Sequence, residues 1–131
     1  MADSPFDAVR RYVAAFDAAD IDAMAAACDD TMQILDGMPP HTWQGPTATR
    51  AWWRDVMAES EHLGFSGYHI TLGDPSHVED NGIFGYVVVP AAMAFSVAGA
   101  QRTQTGSTFT VALRNSGSGW RLTAWSWSKG R

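Results

Sequence analysis

The 131 residues hold one cysteine, Cys28, so the chain can close no internal disulfide and needs no oxidising compartment to fold. Long uncharged hydrophobic runs are almost as scarce. The one exception, Ile83 to Gln101, contains Gly85, Pro90, Ser96 and Gly99 as well as the run Val87-Val88-Val89. Those residues favour a bent or bulged strand packed against helices over a membrane-spanning helix. The opening Met-Ala-Asp-Ser-Pro-Phe-Asp has no basic stretch followed by an apolar one, so no signal peptide is expected and a cytoplasmic protein is the expectation. An excess of positive charge is missing too: the net charge is −5, which argues against nucleic acid or an anionic membrane as the main partner.

Motifs that would announce a cofactor are also lacking. The chain has no P-loop, no GxGxxG, no GxSxG elbow and no HExxH. Its histidines, His41, His62, His69 and His77, are not spaced to present two imidazoles from one helical turn. Neither a metal nor an organic cofactor is therefore expected. The length suits one domain over residues 1–131, with a radius of gyration of roughly 14 Å and room for one core and one pocket.

What is present is unevenly placed. All fourteen carboxylates lie in residues 1–80 beside four arginines, a balance of −10, whereas residues 81–131 carry five basic groups and no acid. Such halves read as two faces of one domain, and any catalytic carboxylate must come from the first eighty residues. Ser4-Pro5 reads as a helix start, and Phe6, Val9, Tyr12, Val13 and Phe16 recur at helical spacing over residues 5–18. Asp20 can cap a short second helix with Ile21, Met24 and Cys28 on one face. Thr31 to Leu35 reads as a strand closed by Asp36-Gly37, and Gly45-Pro46-Thr47 opens a third helix to about Ser60. Strands follow at Phe65 to Leu72, Ile83 to Val89, Thr105 to Arg114 and Trp120 to Ser128, with Asn81-Gly82 as a hairpin turn. Helices first and an antiparallel sheet afterwards make an α+β layout.

Within that layout Tyr12 points into the core from the first helix, and Asp36 ends the first strand. A carboxylate and a phenol converging on an apolar pocket can transfer protons, because the phenol can donate to oxygen charge as it develops. Asp36-Gly37 is equally a common turn pair, and Tyr12 equally a core tyrosine with a satisfied hydroxyl. Asp20, Asp22, Asp29 and Asp30 read as caps and solvated faces. Trp52 and Trp53 cannot both face the core. Strict alternation sends Trp125 and Trp127 to one face of the last strand and Trp120 and Leu122 to the other, without saying which lines the pocket.

Arg11-Tyr12-Val13-Ala14-Ala15-Phe16, Asp20-Ile21-Asp22, Asp29-Asp30 and Asp36 together resemble the opening of the ketosteroid isomerases and SnoaL-like polyketide cyclases, of the nuclear-transport-factor-2-like superfamily. Gly45-Pro46-Thr47-Ala48, Ala51-Trp52-Trp53 and Gly119-Trp120-Arg121-Leu122 extend the resemblance over nearly the whole chain. It implies an α+β cone, a cystatin-like roll of three helices in a curved mixed or antiparallel sheet around one pocket. It also implies Asp36 as general base and Tyr12 as oxyanion donor, with Phe16, Trp52, Tyr86 and Thr108 as substrate-binding candidates. Ketosteroid isomerase adds a protonated aspartate to its oxyanion hole. This chain has no acid beyond Asp80 and reads Ser107-Thr108-Phe109-Thr110 in that neighbourhood, which counts against authentic steroid isomerisation and against an epoxide-hydrolase arrangement. The expectation is a small apolar, aromatic or polycyclic ligand in the pocket, with cofactor-free isomerase, cyclase or dehydratase chemistry and a homodimer formed through the sheet. The alternative is a non-catalytic binding or dimerisation module of the same fold.

Overall fold

A computed structural model describes residues 3–130. The elements run α1 (Pro5–Asp17), α2 (Ile21–Ala26), β1 (Cys28–Leu35), β2 (Thr42–Gln44), α3 (Ala48–Leu63), β3 (Phe65–Leu72), β4 (His77–Asp80), β5 (Phe84–Val97), β6 (Ala100–Asn115) and β7 (Trp120–Ser128). The Ser4 side chain accepts the Asp7 N–H at 3.1 Å with Pro5 following it, so α1 starts where its cap and proline direct. Asp20 caps α2 through the Ala23 N–H in the same way. Cys28 opens β1 instead of continuing α2, and α3 runs three residues past Ser60 before Gly64 closes it in the left-handed conformation.

Among the described residues one sheet contains all seven strands, in the order β2-β1-β7-β6-β5-β3, with β4 pairing β5 beside β3. Only β1 and β7 among the described residues pair in parallel, so the sheet is mixed. The charge-free segment is the strand β5, which turns at Ala98-Gly99, both at positive φ, into the long strand β6. A Cβ at Gly85 would lie 3.1 Å from both Pro5 and the Trp120 ring, so α1 approaches the sheet at a place only glycine leaves open.

Besides a slip in the parallel β1–β7 pair between Cys28 and Gln33, three irregularities in the antiparallel pairs bend the sheet around the helices. The β3–β5 register slips between Ser66 and His69, at Gly67. The β5–β6 register slips between Ala91 and Met93, opposite Gly106. In β7 the partner of Ala112 is Ala124 but that of Leu113 is Leu122, so Thr123 is an extra residue. Each bulge adds curvature and reverses the alternation of faces beyond it. Trp120, Leu122, Trp125 and Trp127 therefore all face the helices, opposite Asn115, Leu113, Val111 and Phe109. The split of these residues between two faces, expected from strict alternation, does not occur. The core lies between that concave face and the helices, where Val9, Met24, Val87, Val111 and Leu122 have no exposed surface. No helix among the described residues is long and apolar enough to cross a membrane.

Candidate functional site

The helices leave part of the concave face uncovered, and a cavity of about 300 Å³ remains between α1, α3 and the sheet. Tyr12, Trp52 and Trp125 line its buried end, and Pro39, Glu59, Leu63 and Lys129 line it where the chain is exposed. Its walls are mainly aromatic. Phe16 lies 5.8 Å from Trp52 and 6.0 Å from Tyr68, and Phe109 lies 5.5 Å from Trp125. Trp53 is outside the cavity and packs edge-on against Phe16, so Trp52 is the inward member of that pair.

Four of the six expected residues meet in this cavity: Tyr12, Phe16, Asp36 and Trp52. Tyr86 and Thr108 do not, and the expectation for them is corrected. Val87 and Phe109 face inward, so alternation turns their neighbours Tyr86 and Thr108 to the convex face. There Tyr86 is 41% exposed and contacts His77.

Asp36 and Tyr12 are each held by a tryptophan. The Trp52 indole N–H donates to Asp36 Oδ2 at 2.9 Å, and the Gly37 N–H donates to Oδ1 at 2.8 Å. The turn that follows β1 is closed by the Asp36 N–H on the His41 carbonyl and by His41 Nδ1 on the Asp36 carbonyl. Each carboxylate oxygen keeps a lone pair after accepting one N–H. The Trp125 indole N–H donates to the Tyr12 hydroxyl at 2.9 Å. The two indoles stand edge-to-face with centroids 5.1 Å apart, so they bridge the carboxylate and the phenol.

Beyond Tyr12 the polar groups are enclosed. Thr49 lies beside the phenol and donates to Cys28 Sγ at 3.3 Å, and the thiol donates to the Met24 carbonyl at 3.3 Å. Burial, with the neighbouring Cys28 as second cause, pushes the Tyr12 phenol well above its ordinary pKa of 10.0, so it stays protonated. Burial likewise pushes the Cys28 thiol to about 11, which makes it unreactive at neutral pH.

Sequence reasoning missed two polar features of the cavity. Gln104 Oε1 accepts from Ser107 Oγ at 3.0 Å and from the Trp127 indole at 3.3 Å, which leaves its NH₂ group as the free donor. Ser60 Oγ lies 2.5 Å from the Tyr68 hydroxyl. The bulges at Gly106 and Gly67 bring Gln104 and Tyr68 inward, and a period-two reading cannot anticipate that. Among the described residues no three of His, Cys, Asp and Glu cluster as metal ligands would.

Residues 9–124 match the SnoaL-like domain, so the chain belongs to the SnoaL-like family, with the cone-shaped α+β fold of the nuclear-transport-factor-2-like superfamily. A ketosteroid isomerase-like protein from Erwinia carotovora atroseptica superposes with a TM-score of 0.74 at 18% identity, over 96% of this chain and 93% of that one. A hexachlorocyclohexane dehydrochlorinase (LinA) type 2 gives 0.79 at 8% identity, over 96% and 82%. A nuclear-transport-factor-2-like protein with a cystatin-like fold from Novosphingobium aromaticivorans gives 0.72 at 19% identity, over 94% and 77%. At these identities the likeness is one of fold. No curated protein matches the sequence.

Proposed function

We propose that this SnoaL-like protein binds a small, largely apolar, aromatic or polycyclic molecule in its cavity and moves a proton on it without a cofactor. The observation that carries this reading is the oriented Asp36 carboxylate in an aromatic slot, with Trp52 and Gly37 holding both oxygens. Asp36 abstracts a proton next to a carbonyl. Tyr12 donates its O–H to the developing enolate oxygen, and the N–H it accepts from Trp125 polarises that O–H further. Isomerisation, cyclisation and elimination all begin with such an abstraction. One neighbour of this fold is named a dehydrochlorinase and another isomerase-like, which is consistent with proton abstraction as the shared step.

The same cavity supports a second reading, ligand binding without turnover, because the Tyr12 hydroxyl is 3% exposed and already engaged by the Trp125 indole. A panel of planar phenols, which mimic a bound enolate, separates the two readings when quenching of the tryptophans is followed. Tyr12→Phe is expected to weaken the tightest phenol by about threefold to tenfold, the worth of one hydrogen bond. Asp36→Asn is expected to keep the fold and to lower turnover by about 10²-fold or more. Phenol binding indifferent to Tyr12→Phe removes the oxyanion role and leaves the binding module.

A second copy of the chain is the partner we assign to the convex face of the sheet. There Leu35 and Tyr86, 54% and 41% exposed, border a shallow groove that includes Thr110, Ala112, Ala124 and Ser126. Large side chains beside small ones make the face self-complementary about a two-fold axis. Sedimentation equilibrium of wild type and Tyr86→Glu tests this, with a dimer expected only for wild type.

A further inference from the structure

The cavity contains a polar pair that the proton-transfer reading does not use. Ser60 is 6% exposed and its hydroxyl oxygen lies 2.5 Å from that of Tyr68, with Phe65, Phe95 and Ile70 lining the cavity around them. Two hydroxyls hold two protons, and only one of them lies between the two oxygens. The other has no protein acceptor among the described hydrogen bonds, while both oxygens keep lone pairs. A pair of this kind can donate to a ligand carbonyl or hydroxyl oxygen, and it can also accept the proton of a hydroxyl.

Its position is fixed by α3. Trp52, Val56 and Ser60 are the buried residues of successive turns of that helix, and all three line the cavity. Trp52 orients Asp36 at one end of the stripe, and Ser60 stands eight residues on, about 12 Å along the helix axis. Between them the walls are Phe16 and Val56, which offer no hydrogen bond. The slot is therefore apolar in its middle and polar at both ends.

We propose that Ser60 and Tyr68 form a second anchor that selects ligands with an oxygen function at each end of a rigid apolar body. This rests on the reading of the cavity as a ligand site and adds to it the class of ligand, a rigid rod-like molecule with an oxygen function at each end. The pair contributes to specificity and takes no part in proton transfer. A molecule bearing oxygen only at the Asp36 end fits the slot but leaves the far hydroxyls unmatched, which lowers its affinity.

Two probes of equal shape test the anchor: 4,4′-dihydroxystilbene, with an oxygen at each end, and 4-hydroxystilbene, with one. Their affinities are compared in wild type, Tyr68→Phe and Ser60→Ala. Wild type is expected to prefer the bis-phenol by about fivefold to tenfold, beyond the twofold that its symmetry alone gives. Each variant is expected to reduce that preference to about twofold while keeping its affinity for 4-hydroxystilbene, which also reports that the variant is folded. If one variant does not fold, the other carries the comparison. Equal preference in wild type and in a folded variant overturns the anchor and leaves the cavity reading intact. Failure of both probes to bind wild type overturns the cavity reading and the anchor with it.

Discussion

Tyr12 and Tyr68 bring the same phenol to the same cavity on either side of Phe16, which stands one helical turn from the first and 6.0 Å from the second. Their surroundings differ. Tyr12 is 3% exposed and accepts the Trp125 indole N–H, with the hydrogen bonds from Thr49 to Cys28 and from Cys28 to the Met24 carbonyl packed beside it. Tyr68 is partly exposed to the cavity and has Ser60 as its hydroxyl partner. The enclosed end joins α1, α2, α3, β1 and β7, so its hydrogen bonds stabilise the fold and leave the Tyr12 O–H as the donor to a ligand. The Tyr68 end has a second hydroxyl beside the phenol, so it keeps a proton and several lone pairs for a guest with the pair's own hydrogen bond made. Burying a phenol does not by itself make a site. What matters is how much of its hydrogen-bonding capacity the protein has left free.

The largest effect that tests this contrast is the loss of Trp125, which packs against Tyr12, Trp52 and Phe109. Trp125→Ala should cost about 3–5 kcal/mol of unfolding free energy in urea titrations, whereas Trp127→Ala, at the less buried end of the same face, should cost clearly less. Equal losses would mean that the two ends are equally structural.

A second test is alkaline pH. The folded pKa values of Cys28 and Tyr12 are raised, so the unfolded chain releases these protons at lower pH than the folded one. Their stabilising contribution is complete below pH 9.0, the ordinary thiol value, and declines as pH rises toward 11. Cys28 alone accounts for about 2–3 kcal/mol of that decline, and Cys28→Ala should remove this part of the slope in denaturation curves measured from pH 8 to 11.

The smallest of the three effects compares the tyrosines directly. Tyr12→Phe leaves the buried Trp125 N–H without an acceptor and should lower stability by about 1–3 kcal/mol. Tyr68→Phe leaves only a serine hydroxyl that the cavity can hydrate, and it should cost less than about 1 kcal/mol. Thermal denaturation of both variants decides the order, and a reversal would contradict the assignment of the two ends.

Much of this was legible in the residues themselves. Ser4-Pro5 and Asp20 mark helix starts that the structure confirms, and the apolar spacing of Val9, Tyr12, Val13 and Phe16 orients α1 correctly. Tyr12, Phe16, Asp36 and Trp52 reach the cavity because helical periodicity and a strand end fix their directions. The errors concern the sheet. Tyr86 and Thr108 lie one residue from inward positions, and a one-residue uncertainty in a strand reverses the face. Tyr68, Gln104 and the four inward residues of β7 depend on bulges at Gly67, Gly106 and Thr123. Glycine can hint at the first two, but nothing in Leu122-Thr123-Ala124 signals the third. The short strand β2 and the Ala98-Gly99 turn also escaped, the first for lack of length and the second because alanine rarely takes positive φ.

The central claim, a ligand in the cavity held between the tryptophans that orient Asp36 and Tyr12, is tested most directly by the six indole N–H signals of ¹⁵N-labelled protein during titration with a planar phenol. Trp52, Trp125 and Trp127 line the cavity, whereas Trp43 donates to Asp55 outside it and Trp53 packs behind Phe16. The account predicts saturable shifts of Trp52, Trp125 and Trp127 with Trp43 and Trp53 nearly unmoved. Shifts confined to Trp43, or a spectrum unchanged at saturating phenol, would contradict it.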